Sequence, residues 1–116
     1  MEGKIWGKTC CLFNQQNVSV HEIKIVKGGY CSRHKHRAKY NVFYVLSGRL
    51  QVKIWRDSLC DTTVLTAGEQ LTVAPGDLHE FEALESTHAL EIYYTELDHN
   101  DIERENQGGI RQQFTN

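Results

Sequence analysis

The sequence predicts an all-β fold in a single domain. Short apolar runs with strand-like alternation or β-branching recur roughly every eight to twelve residues, Gly, Asn and Asp turns separate them, and no stretch shows convincing helical periodicity. Strands this short and evenly spaced close into a sandwich or barrel. The chain has 116 residues, room for one core and little for a second. There is no internal repeat, so one barrel is expected and not two.

Residues 4–13, with Trp6 and the run Cys10-Cys11-Leu12-Phe13, read as an opening edge strand or arm, and residues 14–17 as a turn. Val18 and Val20, then Ile23 and Ile25, alternate with one slip of phase between the pairs; a strand with a bulge accounts for it, and Lys27-Gly28-Gly29 ends it. Residues 42–46 are an apolar run closed by Ser47-Gly48. Leu50, Val52 and Ile54 then alternate with Gln51, Lys53 and Trp55, the pattern of a half-buried hairpin strand, which polar residues 56–61 close. Residues 62–66 and 71–73 are further strand candidates around the Ala67-Gly68 turn. The single proline falls in Ala74-Pro75-Gly76-Asp77, where its missing N–H costs nothing. Residues 79–84 and 89–97 complete the strands, the last alternating Leu90, Ile92 and Tyr94 against Glu91, Tyr93 and Thr95. Residues 101–106 are expected to form a helical turn or two. The domain therefore spans residues 1–105 with an N-terminal arm, and residues 106–116 are a tail, expected to be an arm or disordered.

A formal net charge of -2 provides no bulk attraction for nucleic acid or an anionic membrane, and neither partner is expected. No apolar run approaches a membrane span, and the start, MEGKIWGKTCCLF, lacks a basic segment followed by a long apolar core. Cys10, Cys11, Cys31 and Cys60 form no C-x-x-C pair and are expected to be reduced thiols, Cys31 buried and inert. A soluble, unprocessed cytoplasmic protein follows. Edge strands and terminal arms make a homodimer the expected assembly.

Chemistry concentrates in residues 28–48, GGYCSRHKHRAKYNVFYVLSG. In an extended strand positions i and i+2 share a face, so His34 and His36 can reach one ion. Residues 68–79, GEQLTVAPGDLH, bring a third candidate, His79, just after the Pro-Gly-Asp turn. Three imidazoles leave open positions for water or substrate and accept one divalent transition metal: Fe, Zn, Ni or, less readily, Mn. His21, His88 and His99 read as ordinary hydrogen-bonded residues.

Gly28, five residues, His34, one residue, His36, eleven residues and Gly48, followed by a Pro75-Gly76 turn and His79, resemble the two-part motif of the cupin superfamily. That resemblance implies the double-stranded β-helix, or cupin jelly-roll barrel, with a pocket at one mouth. It also implies a fourth ligand position, usually glutamate; spacing to Gly48 puts Asn41 there, a neutral and weaker ligand that favours an all-nitrogen site. Trp6-Gly7, His34-Lys35-His36-Arg37-Ala38, Val45-Leu46-Ser47-Gly48, Pro75-Gly76 with His79, Leu90-Glu91-Ile92 and Asp101-Ile102 occur in the same order in the C-terminal cupin module of type II mannose-6-phosphate isomerases, which the chain resembles most. The chain departs from that module at Ser32, where it has glutamine, and at Lys39, where it has glutamate.

This resemblance implies a metal-binding cupin acting on a small polar substrate, as a sugar-phosphate isomerase does. Isomerisation needs a base, and the motif provides no obvious one: Glu80 and Glu82 point outward if His79 points inward. Tyr40 and Tyr94 are candidate substrate-binding phenols, and Arg37 and Lys39 candidate phosphate ligands. Two alternatives stand beside the isomerase: a three-histidine mononuclear iron dioxygenase, and a non-catalytic small-molecule-binding module.

Overall fold

The computed structural model describes residues 2–96 and 98–111, and folds as nine antiparallel strands in two sheets. They are β1 (Glu2–Lys4), β2 (Gly7–Gln15), β3 (Val18–Ile25), β4 (Tyr40–Ser47), β5 (Leu50–Arg56), β6 (Leu59–Leu65), β7 (Gln70–Val73), β8 (Leu78–Ala83) and β9 (Thr87–Tyr94). The larger sheet runs β1-β2-β3-β9-β4-β7 and the smaller β6-β5-β8. The segment before β4 extends the smaller sheet: Cys31 N–H donates to the Phe81 carbonyl, and Tyr30 pairs with Glu82 and His34 with His79.

The core lies between the inner faces. Ile23, Ile25, Phe43, Val45 and Ala89 come from the larger sheet, and Leu50, Val52, Ile54, Phe81 and Ala83 from the smaller. Alternation along β5 and β8 puts every second residue inside. A large apolar side chain fully removed from water contributes about 1.5–3 kcal/mol, so Phe43, with no exposed surface, is one of the stronger single contributions. Its ring meets Phe81 edge-on at 5.7 Å, and Phe81 meets Trp6 at 5.2 Å, giving one end of the barrel an aromatic floor.

The phase slip in β3 has a different cause from the one expected. β3 pairs with β9 without interruption from Val18 to Ile25. Val18 and Val20 lie on the outer face and Ile23 and Ile25 on the inner, so apolar residues on both faces produce the slip. The bulge is in β2, between Cys11 and Phe13. Leu90 and Ile92 share the outer face with Val20 and Val42, as the register places Val20 and Val42 beside Ile92. Glu91 and Tyr93 therefore face the interior.

Gly48 shows how tightly the β4–β5 turn is built. It has φ 96°, and a Cβ there would stand 2.3 Å from the Ser86 carbonyl oxygen. The next hairpin turns through Asp57 and Ser58, both at positive φ, which suits a two-residue connection. Residues 101–106 form coil with a bend, with no helical turn, because they pack against nothing that would offset the cost of nucleation. Residues 98–111 are exposed; the tail expected from 106 onward lies outside the described residues after 111.

Candidate metal centre

Backbone pairing brings the histidines together. His34 N–H donates to the His79 carbonyl at 3.0 Å, and His79 N–H returns the bond at 2.8 Å. Directly opposed residues in such a pair project side chains from one face, about 5 Å apart. Gly76 N–H donates to the His36 carbonyl at 2.7 Å, tying the histidine segment to the Pro75-Gly76 turn. The three rings lie 4.4, 4.9 and 5.4 Å apart by centroid. One nitrogen of each falls within 4.8 Å of the others. Nitrogens at about 2.1 Å from a shared ion and at tetrahedral angles are roughly 3.4 Å apart, so the rings close on an ion by side-chain adjustments of up to about 1.4 Å.

Hydrogen bonding prepares the rings as ligands. His34 Nδ1–H donates to the Ser32 carbonyl at 2.7 Å and His79 Nδ1–H to the Asp77 carbonyl at 2.9 Å. With the proton on Nδ1, the Nε2 lone pair is left for a cation. His36 Nε2 is buried and has no hydrogen-bond partner, a costly arrangement unless something electron-accepting occupies its lone pair. Asn41, fully buried, presents Oδ1 to His79 Nε2 at 3.2 Å. Both atoms are acceptors in this tautomer, so they need either a cation between them or the opposite amide orientation. Three neutral imidazoles with an adjacent amide oxygen fit a divalent transition metal.

The protonation states agree. Burial, then the Lys39 charge and then the neighbouring histidines, hold His36 down to about 4. Burial also lowers His79. Both rings are thus neutral at pH 7 and need shed no proton to bind metal. The linkage has a definite sign: an unfolded histidine protonates near 6.5, so between there and about 4 the unfolded chain binds protons that folded His36 refuses. The metal-free protein should therefore melt at progressively lower temperature as pH falls from 6.5 to 4. Thermal melts across that range check this, and His36→Gln should flatten the slope; an unchanged slope would contradict it.

Three inward residues near the centre escape the motif. Glu91 faces His21 across β3 and Phe43 across β4, and Tyr93 faces Asn41. Burial pushes the Glu91 carboxyl above its usual range, while nearby Tyr93, His21, Asn41 and His34 pull the other way. The Tyr93 ring meets His36 at 5.2 Å and His21 at 5.7 Å, both edge to face. His21 Nε2 also hydrogen-bonds Ser19 Oγ at 3.1 Å. Their signal was present: with Ile23 and Ile25 inside, His21 follows inside by i−2, and Ala89 carries Glu91 and Tyr93 inward by the same period.

Tyr40 and Tyr94 go the other way. They stack on each other at 5.0 Å on the outer face, with Tyr40 Oη–H donating to Glu96, because Asn41 and Tyr93 claim the inner positions. Of the three tyrosines it is Tyr93 that faces the interior, while Tyr94 borders the hollow next to Lys39. Arg37 is exposed, whereas Lys39 folds back over the Tyr93 ring, Nζ 3.9 Å from its centroid. Glu80 and Glu82 alternate with buried His79, Phe81 and Ala83 and face away from the interior. Cys31 is buried, accepts the Phe81 N–H and is pushed up to about 11, mainly by burial, consistent with an inert thiol.

The family model for the cupin domain matches residues 21–95, which contain all three histidines. This chain belongs to the cupin family. The cupin superposes on KdgF from Halomonas sp. with a TM-score of 0.73 at 14% identity, over 84% of this chain and 87% of that one. A conserved protein of unknown function from Streptococcus pyogenes matches with a TM-score of 0.66 at 20% identity, over 78% and 75%. Bacillus subtilis oxalate decarboxylase, studied for its Mn(II) centers, matches at 0.63 and 18% identity, over 68% of this cupin and 21% of that chain. At such identities the likeness establishes the shared barrel. No curated protein matches the sequence. No helix among the described residues is long and apolar enough to cross a membrane.

Proposed function

We propose that this cupin is a metal-dependent enzyme that moves a proton on a small oxygen-rich substrate, most like a sugar-phosphate isomerase of the mannose-6-phosphate type. The observation that carries this reading is Glu91, an inward carboxyl beside the three imidazoles. His34, His36 and His79, with Asn41 alongside, would hold the metal. When bound, a divalent metal supplies a Lewis acid for the oxygens of an enediolate. Glu91 as carboxylate takes the proton from the carbon next to the carbonyl, and as carboxylic acid returns it to the neighbouring carbon. Its raised pKa suits both halves of that exchange. Phe43 and Phe81 close the floor behind it and limit water.

A second reading rests on the donor set. No carboxylate belongs to the three-histidine group among the described residues, and three neutral imidazoles also suit a mononuclear iron dioxygenase. Elemental analysis of protein purified without added metal, paired with an assay of solvent deuterium entering mannose 6-phosphate or fructose 6-phosphate, separates the two. Zinc, nickel or manganese near one per chain with deuterium incorporation is the expected result. Iron with oxygen uptake would replace the isomerase by the dioxygenase. Protein without metal or turnover that melts higher with a ligand would make it a binding module.

A further inference from the structure

The charge balance around the centre is incomplete. The donor set is neutral throughout, so a bound divalent ion brings its full charge into the barrel. Beside it sits Lys39, half-buried, its ammonium held over Tyr93 and close enough to help depress His36. Among the described residues no carboxylate pairs with Lys39. Even with the inward Glu91 carboxyl ionised, the ion and the Lys39 ammonium leave positive charge in excess, and an anion between them offsets their repulsion.

A cavity at the same mouth fits this requirement. It has a volume of about 170 Å³ and is lined by Asn14, Gln15, Gln16, Asn17, Lys39 and Tyr93, among others. Its wall contains no acidic residue: four amide side chains, the hydroxyl residues Ser19, Tyr93, Tyr94 and Thr95, and apolar Val18 surround one cation. Amide groups and an ammonium donate hydrogen bonds to phosphate or carboxylate oxygens without opposing their charge. The space is small beside ordinary ligand pockets of roughly 300–1,000 Å³, so it takes a charged group and a few carbons. Tyr93 belongs to both places, lining the cavity and touching His36.

We infer that Lys39 and the amide-lined cavity form an anion subsite that selects substrates bearing a phosphate or carboxylate and seats that group beside the three-histidine centre. The inference rests on the proposed metal centre for the second charge, but Lys39 and the cavity exist without it. A lysine that served only to pack against Tyr93 would leave anion affinity unchanged when replaced by methionine, which keeps the apolar stem.

The test titrates inorganic phosphate, acetate and neutral mannose separately into wild type, Lys39→Met and Lys39→Arg, by calorimetry, after uptake of zinc, iron, nickel and manganese is measured in each. Phosphate, acetate or both should bind wild type, and the better of the two should lose about tenfold or more in Lys39→Met and recover most of it in Lys39→Arg. Phosphate above acetate assigns the subsite to phosphoryl groups, and the reverse order to carboxylates. Mannose should not distinguish the variants. Neither anion binding, or equal affinity in Lys39→Met, overturns the inference. If Lys39→Met does not fold, wild-type affinity measured between about 0.05 and 0.5 M ionic strength decides: a fall supports the subsite and no change refutes it. Lys39-dependent anion binding in protein that takes up none of zinc, iron, nickel and manganese would sink the metal centre and leave the subsite standing. Full zinc loading without Lys39 dependence would do the opposite.

Discussion

His36→Ala should empty the metal centre while leaving the barrel intact. The His36 Nε2 atom has no partner within the protein, so removing the ring breaks no hydrogen bond at that nitrogen. Metal affinity should fall by at least about 100-fold, beyond the 10–100-fold that loss of an outer-shell partner usually costs. The melting temperature without metal should change little, and the rise on adding metal should vanish. That rise is worth about 2.7 kcal/mol when free metal stands at a hundredfold above its dissociation constant. His79→Ala provides the contrast. His79 is fully buried, bonded to Asp77 and facing Asn41, so its loss strands both and opens a cavity, costing about 2–4 kcal/mol in addition to the metal. Metal content and melts of the two variants side by side check the argument. Should His36→Ala retain stoichiometric metal, the three-imidazole centre is wrong.

Glu91→Gln should separate chemistry from binding. Glutamine keeps the shape of the side chain, and because burial already pushes the carboxyl toward its neutral form, folding should be unaffected. Metal content should stay near that of wild type, since Glu91 is not part of the three-histidine group. Proton exchange into substrate should fall by 10²–10⁴-fold, the usual worth of a positioned base. In wild type the base acts as carboxylate, so the rate should rise with pH through the Glu91 pKa, and that limb should lie above the ordinary carboxylate range. Deuterium exchange across pH in both proteins measures this. A loss under tenfold, or the same acidic limb in the variant, would remove Glu91 from the mechanism.

Much of the barrel could be read from single residues because strand period and turn chemistry are local. Pro75-Gly76, Gly48 and the alternation of Leu50, Val52 and Ile54 each declare themselves within a few positions. The three histidines could be read for a related reason: an i, i+2 pair and a post-turn histidine occupy defined slots. What local pattern misjudged was which face of β9 is inside. Leu90, Ile92 and Tyr94 look like a core stripe, yet they lie outside with Val18, Val20 and Val42, and the polar Glu91 and Tyr93 take the interior. The same effect disguised β3, where apolar residues on both faces imitated a bulge that belongs to β2.

The sequence alone determined the strand count to within the short β1, the turns, and the candidate ligands His34, His36 and His79, since each follows from covalent spacing along one stretch of chain. Tertiary structure decided what stands around them. The His34–His79 pairing, the seating of Lys39 on Tyr93 and the inward turn of Glu91 beside Phe43 join residues 45, 54 and 48 positions apart or depend on which sheet face is covered. Facing is a property of two sheets packing together, because burial of one face is favourable only once a second surface exists to bury it against.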